Sequence, residues 1–318
     1  MVAAHPNARQ TRSNKNAGRD VHPDAAAGCA TLRGRPLPPP HRGHPTMPIP
    51  DLVAAAIQGL VEGVTEFLPV SSTGHLIVVG DWLGLHDERA KTFEIFIQLG
   101  AIFAIVWIYR ERFLDMLRSL THPTEGRRLA LNLLLAFLPV AVGGVLVHGW
   151  IKAHLFNPTV VAWGFIVGGV AILAIERWQP PTTTVALSSL EPRTALGIGL
   201  AQMLALVPGV SRSGATILGG YALGLSRVAA TEFSFLLAVP VLAAAAGFDL
   251  VRSLDQLSVA DVPFFAVGFA TAFVAAFMVV RLLLRYVTEH RFTVFAWYRI
   301  AFGMLLLWGY AGRGFGQR

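Results

Sequence analysis

The stretch EGVTEFLPVSSTGHL, Glu62 to Leu76, puts two carboxylates, a run of hydroxyls and an imidazole inside an otherwise apolar segment. Glu62 and Glu66 are four residues apart, and so share one face of a helix that Pro69 should end near Leu68. A carboxylate in an apolar helix is costly, so each is expected to face a cavity, a cation or a partner. The turn PVSSTGH opens a second helix, with Ser72 or Thr73 suited to cap it and His75 in its first turn. Free amides at a helix start, the positive dipole end and neighbouring hydroxyls make an anion site suited to phosphate. A later stretch, PGVSRSGAT, repeats the plan: Ser211, Ser213 and Thr216 surround another helix start, and Arg212 offers a permanently charged, planar donor fork. Arg212 needs an anion there, whether phosphate, Glu62 or Glu66. Taken together, these groups are an outfit for phosphoryl transfer.

The elements that must position them are membrane helices. The chain has 318 residues, 54% hydrophobic and 14% charged, which is the composition of an integral membrane protein. Apolar stretches of spanning length run over Thr92–Tyr109, Leu129–His148, Val160–Ile175, Glu232–Phe248, Val262–Leu284 and Thr293–Tyr310. Trp107, Tyr109, Trp150, Trp178 and Tyr310 near their ends read as interfacial anchors. The two polar stretches lie in shorter apolar segments that Pro, Gly and Ser interrupt. The expected fold is an all-α polytopic membrane protein of about six transmembrane helices plus two re-entrant helix-loop-helix segments.

Those two segments are copies. Shifted by 140 residues, Gly59, Leu60, Val70, Ser71, Gly74, Ile77, Gly80, Leu83, Gly84, Leu85, Ala90 and Phe93 all meet identical residues, and Ser72 meets Arg212. Two repeats follow, approximately 47–190 and 191–318. Arg110, Arg112, Arg118, Arg127 and Arg128 in one connection, and Arg281, Arg285 and Arg291 in another, mark those connections as cytoplasmic. Alternating outward from them, the first copy enters from the outer face and the second from the cytoplasm, as inverted repeats around a midplane site. The same architecture serves secondary transporters and lipid flippases, so fold physics alone leaves a transporter as the rival reading.

Residues 1–46 differ in kind: rich in Arg, Pro, Ala and Gly and without apolar periodicity, they are expected to be disordered, with Met47 the true start. They hold most of the net charge of +7, so a nucleic-acid partner is not indicated. They also hold the only cysteine, Cys29, which excludes disulfides and thiolate metal sites from the membrane body.

From Met47 to the C-terminus the chain resembles the undecaprenyl-diphosphatase family, the bacitracin-resistance type of integral membrane phosphatase. EGVTEFLPVSSTGHL and PGVSRSGAT are similar to its two signature motifs, and FEIFIQLGAI and FSFLLAVP to its helix patterns. The resemblance implies hydrolysis of undecaprenyl diphosphate to undecaprenyl phosphate and inorganic phosphate in the bacterial plasma membrane, with the active site opening to the outer face. Recycling of the carrier for peptidoglycan synthesis and tolerance of bacitracin would follow. It implies functional roles for Glu62, Glu66, Ser71, Ser72, His75, Ser211, Arg212 and Thr216, to which the motif chemistry adds Thr73 and Ser213. A divalent cation, Mg2+ or Ca2+, is implied, for which Glu62 and Glu66 supply hard oxygen ligands. Ser72 or His75 is expected to attack the terminal phosphate, with His75 also able to serve as the base for Ser72; water attacking directly is the third option. Glu66 acts as base or metal ligand, and Arg212 clamps the diphosphate. The resemblance leaves a homodimer open.

Overall fold

The computed structural model describes residues 51–85, 88–119, 124–155, 157–253 and 259–311. The expected extension 1–46, Cys29 and the start at Met47 lie outside the described residues. Each expected span forms a helix: α3 (Glu88–Ile108), α5 (Glu125–His154), α6 (Pro158–Trp178), α9 (Arg227–Ser253), α10 (Val262–Glu289) and α11 (Thr293–Ala311). The first five are long and apolar enough to cross a membrane; in α11 the apolar part, Thr293–Gly309, is shorter. This is an all-α, multi-pass membrane protein. An additional short helix, α4 (Arg110–Arg118), occupies a connection that the charges alone had marked as a loop.

The interrupted segments are helix-turn-helix units. The first is α1 (Asp51–Thr65), a turn, and α2 (Ser72–Leu83); the second is α7 (Pro192–Gln202), a short 3-10 turn over Met203–Leu206, and α8 (Arg212–Ala222). At 1.5 Å rise per residue none of these four exceeds about 23 Å, short of a hydrocarbon core of about 30 Å. The first helix stops three residues before the expected end at Leu68, because the chain must already turn to bring Glu66 round to Ser72.

Both units close identically. Gly84 and Gly224 take left-handed φ of 73° and 94°, and the next residue's amide returns to the helix, Leu85 N–H to Gly80 O at 2.9 Å and Leu225 N–H to Gly220 O at 3.0 Å. Glycine is needed there because a side chain disfavours that backbone. The repeat extends to the packing. α1 lies against α10, whereas α7 lies against α5; α3 pairs with α9, and α6 with α11. Gly59 makes the first close approach, onto the Gly268 backbone, and its repeat partner Gly199 makes the second, onto that of Ala136. Each half therefore seats its broken element on a long helix of the other, which is the exchange of contacts that a two-fold relation produces.

Burial corrects one anchor. Trp107, Trp150 and Trp178 are exposed, as an interfacial role requires, but Tyr109 is buried in the main apolar cluster. The side chain of Tyr310 lies outside the described residues.

Candidate active site

Glu62 and Glu66 do share a face of α1, and both are buried, as is Ser72. Glu66 follows the last residue of α1 but keeps its helical bond, its amide donating to Glu62 O at 2.9 Å. One Glu66 oxygen accepts from Ser72 Oγ. The other accepts from Arg212 Nη2 at 2.8 Å, joining the two repeats by a buried ion pair. Arg212 Nη1 donates to Ser234 O at 3.2 Å. Removing either partner of such a buried pair costs about 3–5 kcal/mol, because it leaves the other charge uncompensated.

The two turns differ in how they start their second helix. Ser71, not Ser72 or Thr73, sits at the cap of α2; it makes no side-chain cap bond and has φ 72° and ψ 101°. That is left-handed backbone in a non-glycine residue, which costs about 1–3 kcal/mol and persists only where its surroundings impose it. Ser211, at the equivalent place, has an ordinary φ of −63°, and its Oγ accepts from Gly214 N–H at 3.0 Å. Ser213 donates across the interface to Leu68 O at 2.7 Å, and Thr216 shares a 2.6 Å hydroxyl bond with Ser234. The serine and threonine hydroxyls of the second copy thus hold protein to protein. Thr73 is the one member of the expected set that is exposed.

His75 reaches neither Glu66 nor Ser72 in hydrogen-bonding terms. Its Nδ1 lies 2.7 Å from Ser71 O and its Nε2 2.5 Å from the Tyr298 hydroxyl. Both ring nitrogens are therefore engaged, and the group beside the Ser72 hydroxyl is a carboxylate. Of the two bases expected for Ser72, His75 and Glu66, it is Glu66 to which its hydroxyl bonds.

Sequence reasoning passed over Arg299. It is 1% exposed in the middle of α11, with no carboxylate among the bonds described for it. Its donors serve four carbonyls: Pro69 at 3.1 Å, Gly209 at 3.0 Å, Gly164 at 2.8 Å and Phe165 at 3.2 Å. Pro69 and Gly209 belong to the two interrupted turns, so one guanidinium pins both. The signal was present: an arginine inside an apolar helix carries the same functional presumption that singled out Glu62.

Several buried polar atoms are left without protein partners. They include both Glu62 oxygens, Arg212 Nε and both polar atoms of Gln202. Gln202 lies 140 residues after Glu62, so the unpaired atoms recur at the same place in each repeat. Among the described residues no group of three or more His, Cys, Asp or Glu could hold a metal. The donor set fits a cation only in the manner of Mg2+ at phosphate sites, with a carboxylate or two and the remaining ligands from water and substrate oxygens.

A polytopic bundle whose broken helices meet at a buried carboxylate, hydroxyl and guanidinium belongs to the membrane proteins that handle a polar group within the bilayer. The family model described as bacitracin resistance protein BacA matches residues 55–305. The chain is 54% identical over 261 residues to the undecaprenyl-diphosphatase of Methylococcus capsulatus, covering 82% of this chain and 96% of that one. It is 52% identical over 257 residues to the protein of that name from Acidovorax ebreus, covering 80% and 94%. Undecaprenyl-diphosphatase 1 of Chromobacterium violaceum is also 52% identical over 257 residues, covering 80% and 95%. The chain belongs to the bacitracin resistance protein BacA family.

Proposed function

We propose that the protein hydrolyses undecaprenyl diphosphate to undecaprenyl phosphate and inorganic phosphate, with Ser72 as nucleophile. The names of its relatives support the substrate, and one observation carries the mechanism: the Ser72 hydroxyl donates to Glu66, whose other oxygen is held by Arg212. As Ser72 Oγ bonds to the terminal phosphorus, Glu66 takes its proton. The bond from that phosphorus to the bridging oxygen breaks, and undecaprenyl phosphate leaves with the electron pair. Glu66 gives its proton up to the departing phosphate, and water then attacks the seryl phosphate and passes a proton to the freed carboxylate. The bond from phosphorus to Oγ breaks with its electron pair on Oγ, which takes that proton back from Glu66 as inorganic phosphate is released.

The second repeat supplies the charge. Arg212 shifts from Glu66 toward the phosphoryl oxygens as they arrive, and its unpartnered Nε gives it a donor to spare. The amides at the start of α2 face the same anion. Glu62, with both oxygens free of protein partners, is the residue to hold Mg2+ or Ca2+, with Glu66 beside it. Such an ion, when bound, neutralises diphosphate charge.

The reaction recycles the lipid carrier for wall polymers in the plasma membrane, and high activity confers bacitracin tolerance. The positive charge over Arg110–Arg128 and around the end of α10, from Arg281 to Arg291, supports cytoplasmic ends there and a site open to the outer face. Phosphate release from a long-chain prenyl diphosphate by the purified protein in detergent tests the reading. Wild type should release phosphate, lose that activity to a chelator and regain it with Mg2+ or Ca2+. Arg212→Ala should lose about 10³-fold, and a trapped phosphoenzyme should map to Ser72. No release by wild type would favour a transporter; full release by Arg212→Ala would sink the mechanism.

A further inference from the structure

Tyr298 and Arg299 are neighbours on α11, and both reach the interrupted turns. Arg299 does so directly, through the carbonyls of Pro69 and Gly209. Tyr298 does so through His75. A carbonyl oxygen only accepts, so the 2.7 Å contact between His75 Nδ1 and Ser71 O requires the hydrogen on Nδ1. In the neutral ring Nε2 is then the acceptor, and the Tyr298 hydroxyl 2.5 Å away is its donor. The chain of bonds runs one way: Tyr298 O–H to His75 Nε2, and His75 Nδ1–H to Ser71 O.

The end of that chain is the strained residue. Ser71 is one of two non-glycine residues with positive φ among those described. Its carbonyl belongs to the peptide that joins it to Ser72, so whatever fixes this oxygen also fixes where α2 begins and where Ser72 Oγ points. The other copy is the control that the molecule itself provides. Ala215 stands where His75 does, and there Ser211 is relaxed. Strain and histidine occur together.

The surrounding rings separate what the imidazole's plane needs from what its position within that plane needs. His75 stacks on Phe302 at 4.5 Å and 14° and lies near-parallel to Tyr298 at 5.6 Å and 6°. Those rings hold the plane whether or not a hydroxyl is present. The Ser71 carbonyl, which only accepts, sets the hydrogen on Nδ1; the Tyr298 hydroxyl, as donor to Nε2, holds the ring at the place from which Nδ1–H reaches that carbonyl.

We propose that Tyr298 is a positioning residue for this reaction: by donating to His75 Nε2 it holds the ring against the strained Ser71 peptide, and so aims Ser72 Oγ at the phosphorus. The inference rests on Ser72 being the nucleophile. His75 is then a strut and neither attacks nor takes the serine proton.

The test compares full-length wild type with Tyr298→Phe, in detergent, in two measurements. The first is 15N-histidine NMR, with the His75 signal assigned by its loss in His75→Asn. Wild type should show a neutral ring protonated at Nδ1 with an Nε2 signal shifted by the Tyr298 hydrogen bond, and Tyr298→Phe should move that Nε2 signal to the position of an unbonded nitrogen. The second is turnover of a prenyl diphosphate, where kcat should fall about 10- to 100-fold with KM unchanged. A wild-type His75 protonated at Nε2 overturns the proposal without reference to any variant's folding. So does a Tyr298→Phe enzyme with kcat within twofold of wild type, or one whose whole loss lies in KM. Wild type that turns over normally while Tyr298→Phe does too sinks this proposal alone; wild type that releases no phosphate removes the phosphatase reading and this inference with it.

Discussion

The turn from Glu66 to Ser72 and the turn from Leu206 to Arg212 descend from one backbone plan and have been put to opposite uses. The second caps itself: Ser211 starts its helix from ordinary backbone, and its neighbouring hydroxyls bond to protein, while Arg299 holds its Gly209 carbonyl as it holds Pro69 of the first. The first is strained. Its cap residue has positive φ, its Ser71 carbonyl is taken by the His75 side chain, and it carries the Ser72 hydroxyl beside the Glu66 carboxylate. The relaxed copy carries Arg212, and the strained copy carries Ser72, the nucleophile of the proposed mechanism. Duplication thus gave a rigid frame, and divergence loaded only one side of it.

If that division is right, matched substitutions in the two turns should give unlike results. The largest effect is expected at Ser72. Ser72→Ala should cut phosphate release by more than about 10⁴-fold, as loss of a serine nucleophile does, while leaving the thermal midpoint in detergent nearly unchanged. Ser213→Ala, in the equivalent of Thr73, should do the reverse. It removes the 2.7 Å bond to Leu68 O, so about 1 kcal/mol of stability is lost with little direct cost to turnover. Equal losses of activity in both would mean that the second turn is also chemical.

Arg299→Lys comes next and tests whether the frame is shared. Lysine keeps the charge but cannot spread donors over four carbonyls, and each buried carbonyl left unpaired costs about 1–3 kcal/mol. A destabilisation of about 3 kcal/mol is expected, with kcat falling because the Pro69 and Gly209 turns are released together. Midpoints from thermal or denaturant unfolding in detergent check the first part. A variant as stable as wild type would show that the turns hold themselves.

The packing contrast is smaller. Gly59→Ala and Gly199→Ala each put a methyl group against the backbone of a facing helix, at Gly268 and Ala136 respectively. Overpacking of this kind costs about 1–3 kcal/mol. Because the two sites are related by the repeat, both losses should be similar, and a large inequality would mean that the two-fold relation stops at the turns.

How far this could be read in advance follows from where each signal sits. The repeat was legible because Gly84 and Gly224 are required by the same turn, and glycine has few substitutes there. Glu62, Glu66, Ser72 and Arg212 were legible because polar groups stand out in apolar helices. Arg299 obeyed the same rule but lay in a segment judged by its length and hydropathy. Tyr298 was not legible at all, since its partner is 223 residues away in sequence and a lone tyrosine in an apolar helix carries no charge to mark it. The strain at Ser71 was hidden for a different reason: serine carries no mark of left-handed backbone, as glycine would. α4 was hidden by its own arginines, which argued for a cytoplasmic connection and said nothing of its helical order.

The finest contrast lies at Ser71 and Ser211, where the same substitution should change stability in opposite directions. Glycine adopts φ near 72° without the steric penalty that serine carries, so Ser71→Gly should stabilise the protein by up to about 1 kcal/mol. Ser211→Gly loses a working helix cap in relaxed backbone and should destabilise by a few tenths of a kcal/mol. Activity should divide the other way. Ser71→Gly loosens the peptide that aims Ser72 and lowers kcat despite the gain in midpoint, whereas Ser211→Gly leaves kcat within about twofold because Arg212 is also tied to Glu66 and Ser234. A Ser71→Gly protein that is both more stable and fully active would mean that the strain has no role in catalysis and survives only as a consequence of how α2 packs.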